Sequence, residues 1–170
     1  MTKPSGQVPA LPPFPGLTGG LIRADQNSAA GGIAGQLRVH GQVRNDGEVM
    51  RYDDAMPNGF HVIALDADPD RYLDEAARKV LARIGAQTIG VTHDESRVVA
   101  GRVLLDTSGK YEAFFNEHGA KALIVRPDSY VFGAVGSLTE LSGLVRMLGA
   151  GLALQAANGI GQERLESAQA

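Results

Sequence analysis

The side chains best suited to acid–base or metal chemistry are four histidines, His40, His61, His93 and His118. No two stand three or four residues apart, the spacing that lets two imidazoles share a metal on one helix face. His93-Asp94-Glu95 is the densest metal-like run, but one imidazole beside two acids in a polar stretch reads as a solvated loop. His61 lies within the apolar run Phe60 to Leu65 and reads as a hydrogen-bonded core or edge residue rather than a base. The chain has 0 cysteines, which removes thiol redox chemistry, disulfides and zinc thiolates and fits a reducing cytosol. Nothing resembles the strained serine turn of a nucleophile elbow. Gly149-Ala150-Gly151 lacks the third glycine of a dinucleotide fingerprint and follows no strand, so it cannot aim amides at a pyrophosphate. Gly31-Gly32 and Gly35 do no better. From the residues alone, no catalytic, cofactor-binding or metal-binding set is expected.

The totals bound the rest. A chain of 170 residues, 44% hydrophobic, can bury one real core. A formal net charge of -3 gives no basic field for a nucleic-acid backbone. No apolar run approaches the roughly 18 residues of a membrane span. The opening residues lack the apolar core of a signal peptide, and the expected address is the cytoplasm.

Five of the 8 prolines fall in the first fifteen residues, Pro4, Pro9, Pro12, Pro13 and Pro15. Proline stiffens a chain and cannot feed a helix, so residues 1–17 read as a linker or strap, a hint that something precedes it. Thr18 to Gly35 is rich in Gly and Ala, anchored by Leu21 and Ile22. Gln36 to Arg44, the turn Asn45-Asp46-Gly47 and Val49 to Tyr52 read as a hairpin ended by Asp53-Asp54. Phe60 to Leu65 suits a strand covered on both faces. Asp68 is a candidate N-cap with Pro69 as first helical residue. Leu73, Ala76, Ala77, Val80, Leu81 and Ile84 recur at helical spacing up to a stop at Gly85. Gln87 to Val91 is a second strand, and Arg97 to Leu105 reads as extended. Thr107 or Ser108 would cap a helix from Lys110 to His118. Lys121 to Val125 and Tyr130 to Ala134 form a tight hairpin, with Pro127 at the second position of a type I turn. Ser137-Leu138-Thr139-Glu140 is a capping box opening a last helix whose apolar stripe runs from Leu138 to Leu152. Residues 158–170 are expected to be a flexible tail, leaving 18–157 as the folded unit.

A strand–helix–strand start demands a crossover and a parallel pair, and the closing hairpin adds antiparallel strands. A mixed central sheet flanked by helices, with a β-rich N-terminal extension, is an α/β arrangement of the thioredoxin-like kind. A redox enzyme of that fold needs a low-pKa thiolate at the first helix N-terminus; Asp68-Pro69-Asp70 stands there instead. It also needs a proline just before the strand entering the final hairpin, where this chain has Gly119-Ala120-Lys121. Redox catalysis by this domain is therefore not expected.

Val125-Arg126-Pro127-Asp128-Ser129-Tyr130-Val131 resembles the V-R-P-D-x-Y-V segment in the C-terminal domain of FAD-dependent aromatic hydroxylases, such as the 3-(3-hydroxyphenyl)propionate hydroxylases and phenol-type monooxygenases. Upstream, Gly47, Tyr52-Asp53-Asp54 and Gly59-Phe60 are similar to that family's G…L-D-D…G-x-G-F run. Asp106 to Gly119 is similar to its D…G…W…G-A stretch. Arg38-Val39-His40 stand where the family usually has Phe-Pro-Gln. The likeness spans about Leu17 to Leu148.

The resemblance implies a cysteine-free accessory domain for assembly and packing, with no cofactor of its own. FAD and NAD(P)H would belong to a parent enzyme that hydroxylates phenolic rings with O₂. The implied partners are the FAD-binding catalytic domain of the same protein and a possible homodimer, with neither nucleic acid nor membrane. Asp53, Asp54, Arg126, Pro127, Asp128 and Tyr130 are the expected interaction and structural motif. Arg126 could pair with Asp128 across the turn or with Asp53 or Asp54, and Tyr130 could offer its hydroxyl to a partner. A free-standing binding protein of the same fold is the competing expectation, and an enzyme with an unseen site the third.

Overall fold

The computed structural model describes Leu17, residues 20–23 and residues 31–168. The expectations for the proline-rich start fall outside the described residues, except at Leu17. The ladder begins with β1 (Gln42–Asn45) and β2 (Glu48–Arg51), joined at Asp46-Gly47, both with positive φ. One helical turn, α1 (Tyr52–Ala55), follows, so Tyr52, Asp53 and Asp54 belong to a helix and not to the end of a strand. Then come β3 (His61–Leu65), α2 (Glu75–Ile84), β4 (Gln87–Thr92), β5 (Val103–Asp106) and α3 (Lys110–Glu117). The hairpin β6 (Ala122–Val125) and β7 (Val131–Val135) leads into α4 (Leu141–Ala168).

The seven strands form one sheet in the order β2-β1-β5-β4-β3-β6-β7. β3, β4 and β5 are parallel, while β6 runs antiparallel to β3 and β7 antiparallel to β6. The unit β4-β3-β6-β7, with α2 as the crossover and α4 closing, is the thioredoxin-like arrangement; β5, β1 and β2 extend it on the β4 side. Alternation along β3 divides the core. Ile63 and Leu65 face Tyr111 and Phe115 of α3, while Val62 and Ala64 face α2 and α4 through Leu81, Leu144 and Leu148. A strand buried on both faces must be apolar throughout, which is why Phe60 to Leu65 shows no polar alternation.

The ends of elements differ from expectation in instructive ways. Asp68 caps only a 3-10 turn, Pro69–Tyr72, and α2 starts at Glu75 under its own cap, the Asp74 carboxylate accepting from Ala77 N at 2.8 Å. Two acids six residues apart each satisfy a helix start, and the chain uses both. For α3, neither Thr107 nor Ser108 is the N-cap; Gly109 holds that position. Asp106, 1% exposed, reaches forward instead, its Oδ2 accepting from Tyr111 N at 2.8 Å and Glu112 N at 3.2 Å. The run Arg97 to Leu105 is extended only from Val103, after a turn at Glu95–Arg97 and a bridge between Val99 and Val103. Gly85 ends α2 at φ 64, and the Ser137–Glu140 box is formed.

Gly90 in β4 has a steric reason. A Cβ there would lie 2.3 Å from the Ala67 carbonyl oxygen and 2.9 Å from Val103 Cγ2. The loop after β3 thus lies directly on the bare backbone of its neighbour. Gly90→Ala is expected to destabilise the fold by about 1–3 kcal/mol, read as a lower urea midpoint with an unchanged slope.

Candidate functional site

Two places could carry function: the loop after β3, where this fold keeps redox chemistry, and the β6–β7 hairpin. At the first, an open cleft of about 330 Å³ is lined by Asp66, Asp68, Arg71, Tyr72, Arg97 and Val99 among others, and its carboxylates are engaged by the chain itself. Asp66 turns the chain at φ 57, and its Oδ1 accepts from the buried Thr92 hydroxyl at 2.7 Å. Asp68, 8% exposed, accepts from Asp70 N at 3.1 Å and from Arg102 Nη1 at 3.0 Å. The helix-start amide that would steady a thiolate or an anionic ligand therefore already holds a carboxylate of the chain.

The hairpin is built by local turn chemistry. Ser129 N donates to Arg126 O at 3.0 Å, closing a turn with Pro127 and Asp128 at its centre. Ser129 takes φ 68, and the register shifts between Ile124 and Val125, so the turn resolves into a bulge. Arg126 decides between its candidate partners. Its Nη2 donates to Asp128 Oδ2 at 2.6 Å and its Nη1 to Leu21 O at 3.0 Å. It thereby ties the lead-in chain to the hairpin, and it pairs with neither Asp53 nor Asp54. Tyr130 is half-buried and bridges Leu37. Asp54 is exposed and makes no ion pair among the described residues.

Asp53 belongs to a cluster beside the turn. The segment Gly35–Arg38 runs along β7, with Gly35 N to Val131 O at 2.8 Å, Val131 N to Gln36 O at 2.8 Å and Arg38 N to Ser129 O at 2.9 Å. This delivers Arg38, 7% exposed, to the inside of the hairpin. One guanidinium nitrogen of Arg38 pairs with Asp53, and its carbon lies 5.0 Å from the Tyr52 ring centroid, a cation–π contact. Arg51 and His40 approach the same carboxylate at 3.5 Å and 3.3 Å. Burial and the charges of Arg38, Arg51 and Lys110 hold His40 below its usual range, so at neutral pH it meets the Asp53 carboxylate as a neutral imidazole.

Behind the pair, the Tyr52 hydroxyl donates to His61 Nδ1 at 3.2 Å, and His61 Nε2 donates to Pro57 O at 2.7 Å. The ring is thus neutral and hydrogen-bonded at both nitrogens, as its apolar strand suggested. Burial lowers the His61 pKa and outweighs the opposing bond to Pro57, with Arg38 lowering it further. Burial likewise pushes the Tyr52 and Tyr111 phenols well above their usual range, which keeps both neutral. A cleft of about 160 Å³ opens here, lined by Arg38, Asp53, Asn58, His61, Arg126 and Pro127 among others. Sequence reasoning missed Arg38. The signal was present, since the charge stands where the resembling family has an aromatic residue, fifteen positions before an acid that needs a partner. No group of three or more acids and histidines among the described residues could hold a metal ion, and no helix among them is long and apolar enough to cross a membrane.

The arrangement defines a thioredoxin-like domain whose reactive position is occupied by an ion pair. Residues 35–150 match the family described as the HcaD C-terminal domain, and the chain belongs to that family. It is 30% identical over 151 residues to a probable NADH-specific resorcinol 4-hydroxylase of Rhodococcus jostii, covering 88% of this chain and 26% of that protein. It is 26% identical over 129 residues to a 3-(3-hydroxy-phenyl)propionate/3-hydroxycinnamic acid hydroxylase of Burkholderia vietnamiensis, covering 70% of this chain and 23% of that one. The chain thus spans about a quarter of the length of these relatives. The solved structure of aklavinone-11 hydroxylase with FAD and aklavinone shares the fold at TM-score 0.51 and 22% identity, over 78% of this chain and 26% of that one. The flavin-dependent monooxygenase PieE shares it at TM-score 0.50 and 18% identity, over 69% and 19%.

Asp53→Ala leaves a buried guanidinium without its carboxylate and is expected to cost roughly 3 kcal/mol. Arg38→Met should cost less, because Asp53 keeps Arg51, His40 and a third of its surface in water. Urea denaturation of the two variants checks the order. His61 makes a second prediction. Its folded pKa lies below the unfolded value of 6.5, so the unfolded chain takes up the proton first. The His61 contribution to stability is complete above about pH 6.5 and declines as the pH falls toward the folded value. His61→Asn should flatten the stability–pH curve in the interval just below about pH 6.5.

Proposed function

We propose that this chain is a non-catalytic accessory domain that serves assembly and packing at the C-terminal end of a flavin-dependent aromatic hydroxylase. The parent would hydroxylate phenolic compounds such as 3-(3-hydroxyphenyl)propionate with FAD, NAD(P)H and O₂ in the cytoplasm. The observation that carries this reading is the Asp68–Arg102 pair, which engages the acid standing at the position from which a domain of this fold would act. The turns after β3 and β4 carry Asp66, Asp68, Asp94 and Glu95, and like charge repels a pyrophosphate. Flavin and nicotinamide are therefore assigned to the preceding domain. Residues 1–17 would be the connector and 18–157 the domain; the stretch from 158, expected to be a flexible tail, continues α4 as helix to Ala168.

The hairpin is the surface we assign to the catalytic domain. Arg126 joins the turn to the incoming chain at Leu21, so the polypeptide enters beside Arg126, Asp128 and Tyr130. The cleft of about 160 Å³ supports a second reading, a free-standing binding protein that holds a small ligand there. Replacing Arg126 and Tyr130 by Ala should weaken association with a separately produced FAD-binding portion. The domain's own melting should fall but stay cooperative: the Arg126–Asp128 pair is worth only about 0–1 kcal/mol, while the bond from Arg126 to Leu21 O and the half-buried Tyr130 ring are also lost. Sedimentation of the mixture checks this, and unchanged association would favour the free-standing reading.

A further inference from the structure

The cleft beside the β6–β7 hairpin holds more donors than the chain supplies acceptors for. Its polar walls are Arg38, Asp53, Asn58, His61, Arg126 and Ser129. His61 is engaged at both nitrogens, by the Tyr52 hydroxyl and the Pro57 carbonyl. The Asp53 carboxylate is met by Arg38, Arg51 and His40. Three donors remain. Arg38 Nη1 is buried and makes no hydrogen bond. The Ser129 hydroxyl and the Asn58 side-chain amide make none among the described residues. The Tyr111 hydroxyl lies close enough for the Arg38 charge to oppose the rise in its pKa. It does not answer Nη1, for that oxygen is itself buried without a partner. A buried donor left unpaired is costly, so the arrangement asks for an acceptor from outside.

Charge and size narrow the acceptor. Arg38, Arg51 and Arg126 are bonded here against the carboxylates of Asp53 and Asp128, which leaves one positive charge over. That balance suits a monoanion, whereas a phosphate dianion would be repelled by Asp53 in the wall. At about 160 Å³ the cleft is well below the roughly 300 Å³ at which pockets begin to take drug-sized ligands. A planar carboxylate also matches the planar guanidinium.

We propose that this cleft binds a small monocarboxylate, one oxygen accepting from Arg38 Nη1 and the other from Ser129 and Asn58. His61 is neutral and fully engaged, and no base is bonded to the Ser129 hydroxyl, so the site holds its ligand without transforming it. The proposal rests on the cleft of the second reading above but not on the chain standing alone, since an accessory domain would carry the same site. Ligand titration of this chain and sedimentation with the FAD-binding portion therefore fail separately.

Titration of the whole chain with sodium acetate, followed by NMR shifts, tests this. Acetate should shift Ser129, Asn58 and the Arg38 side chain saturably in the millimolar range. Acetamide and sodium chloride at equal concentration should not. Ser129→Ala should weaken binding about three- to tenfold with little change in melting, and Asn58→Ala, at an exposed position, should do the same. Arg38→Lys keeps the charge without the fork and should weaken binding about tenfold or more; if that variant does not fold, the double variant Ser129→Ala/Asn58→Ala decides. The absence of a saturable acetate shift overturns the proposal. So do equal shifts with acetamide or chloride, or a folded double variant that binds acetate as tightly as the wild type.

Discussion

A buried guanidinium cannot be left alone, and among the described residues Arg38 is the arginine that is buried. Its pairing with Asp53 fixes α1 against the segment Gly35–Arg38, and that segment is bonded along β7 and to Ser129 of the turn. Tyr52 lies under the same guanidinium and bonds His61, which holds the Pro57 carbonyl. Hairpin, lead-in chain, α1 and the start of β3 are thus joined at one charge pair. Such a pair adds little net stability over an apolar filling, but breaking it leaves a charge stranded. Its effect is to specify where the hairpin sits.

The same economy appears at the opposite end of the sheet. Parallel strands present their carboxyl ends and the following helix start as a natural ligand site. Here that site is answered internally by Asp68, Arg102 and Thr92, and Gly90 lets the loop lie flat upon β4. At this site of a fold suited to reactive groups, the charged and polar groups engage one another.

Much of this was legible in the residue order, for physical reasons that differ by element. The β6–β7 turn was readable because Pro127 and Asp128 act within four residues. The helix α2 and the first stretch of α4 were readable because their apolar spacing must match a flat sheet. The mixed sheet followed from the crossover that β3 and β4 require. The helix caps were harder, since Asp68, Asp74 and Asp106 compete with near neighbours and only the packed chain selects among them. The Arg38–Asp53 pair was missed because the departure at Arg38 does not by itself name a partner, and the fold alone brings the two together. Asp54, grouped with Asp53 by sequence, is exposed, and Arg126 chose the nearest acid.

The central claim is that this chain positions and assembles but performs no chemistry of its own. The most direct measurement is the visible absorption of the purified chain, together with its turnover of phenolic, disulfide and peroxide substrates when supplied with FAD and NAD(P)H. The account predicts a colourless protein that retains no flavin through gel filtration and accelerates none of these reactions. A flavin that co-elutes in stoichiometric amount, or turnover abolished by a substitution in this chain, would contradict it.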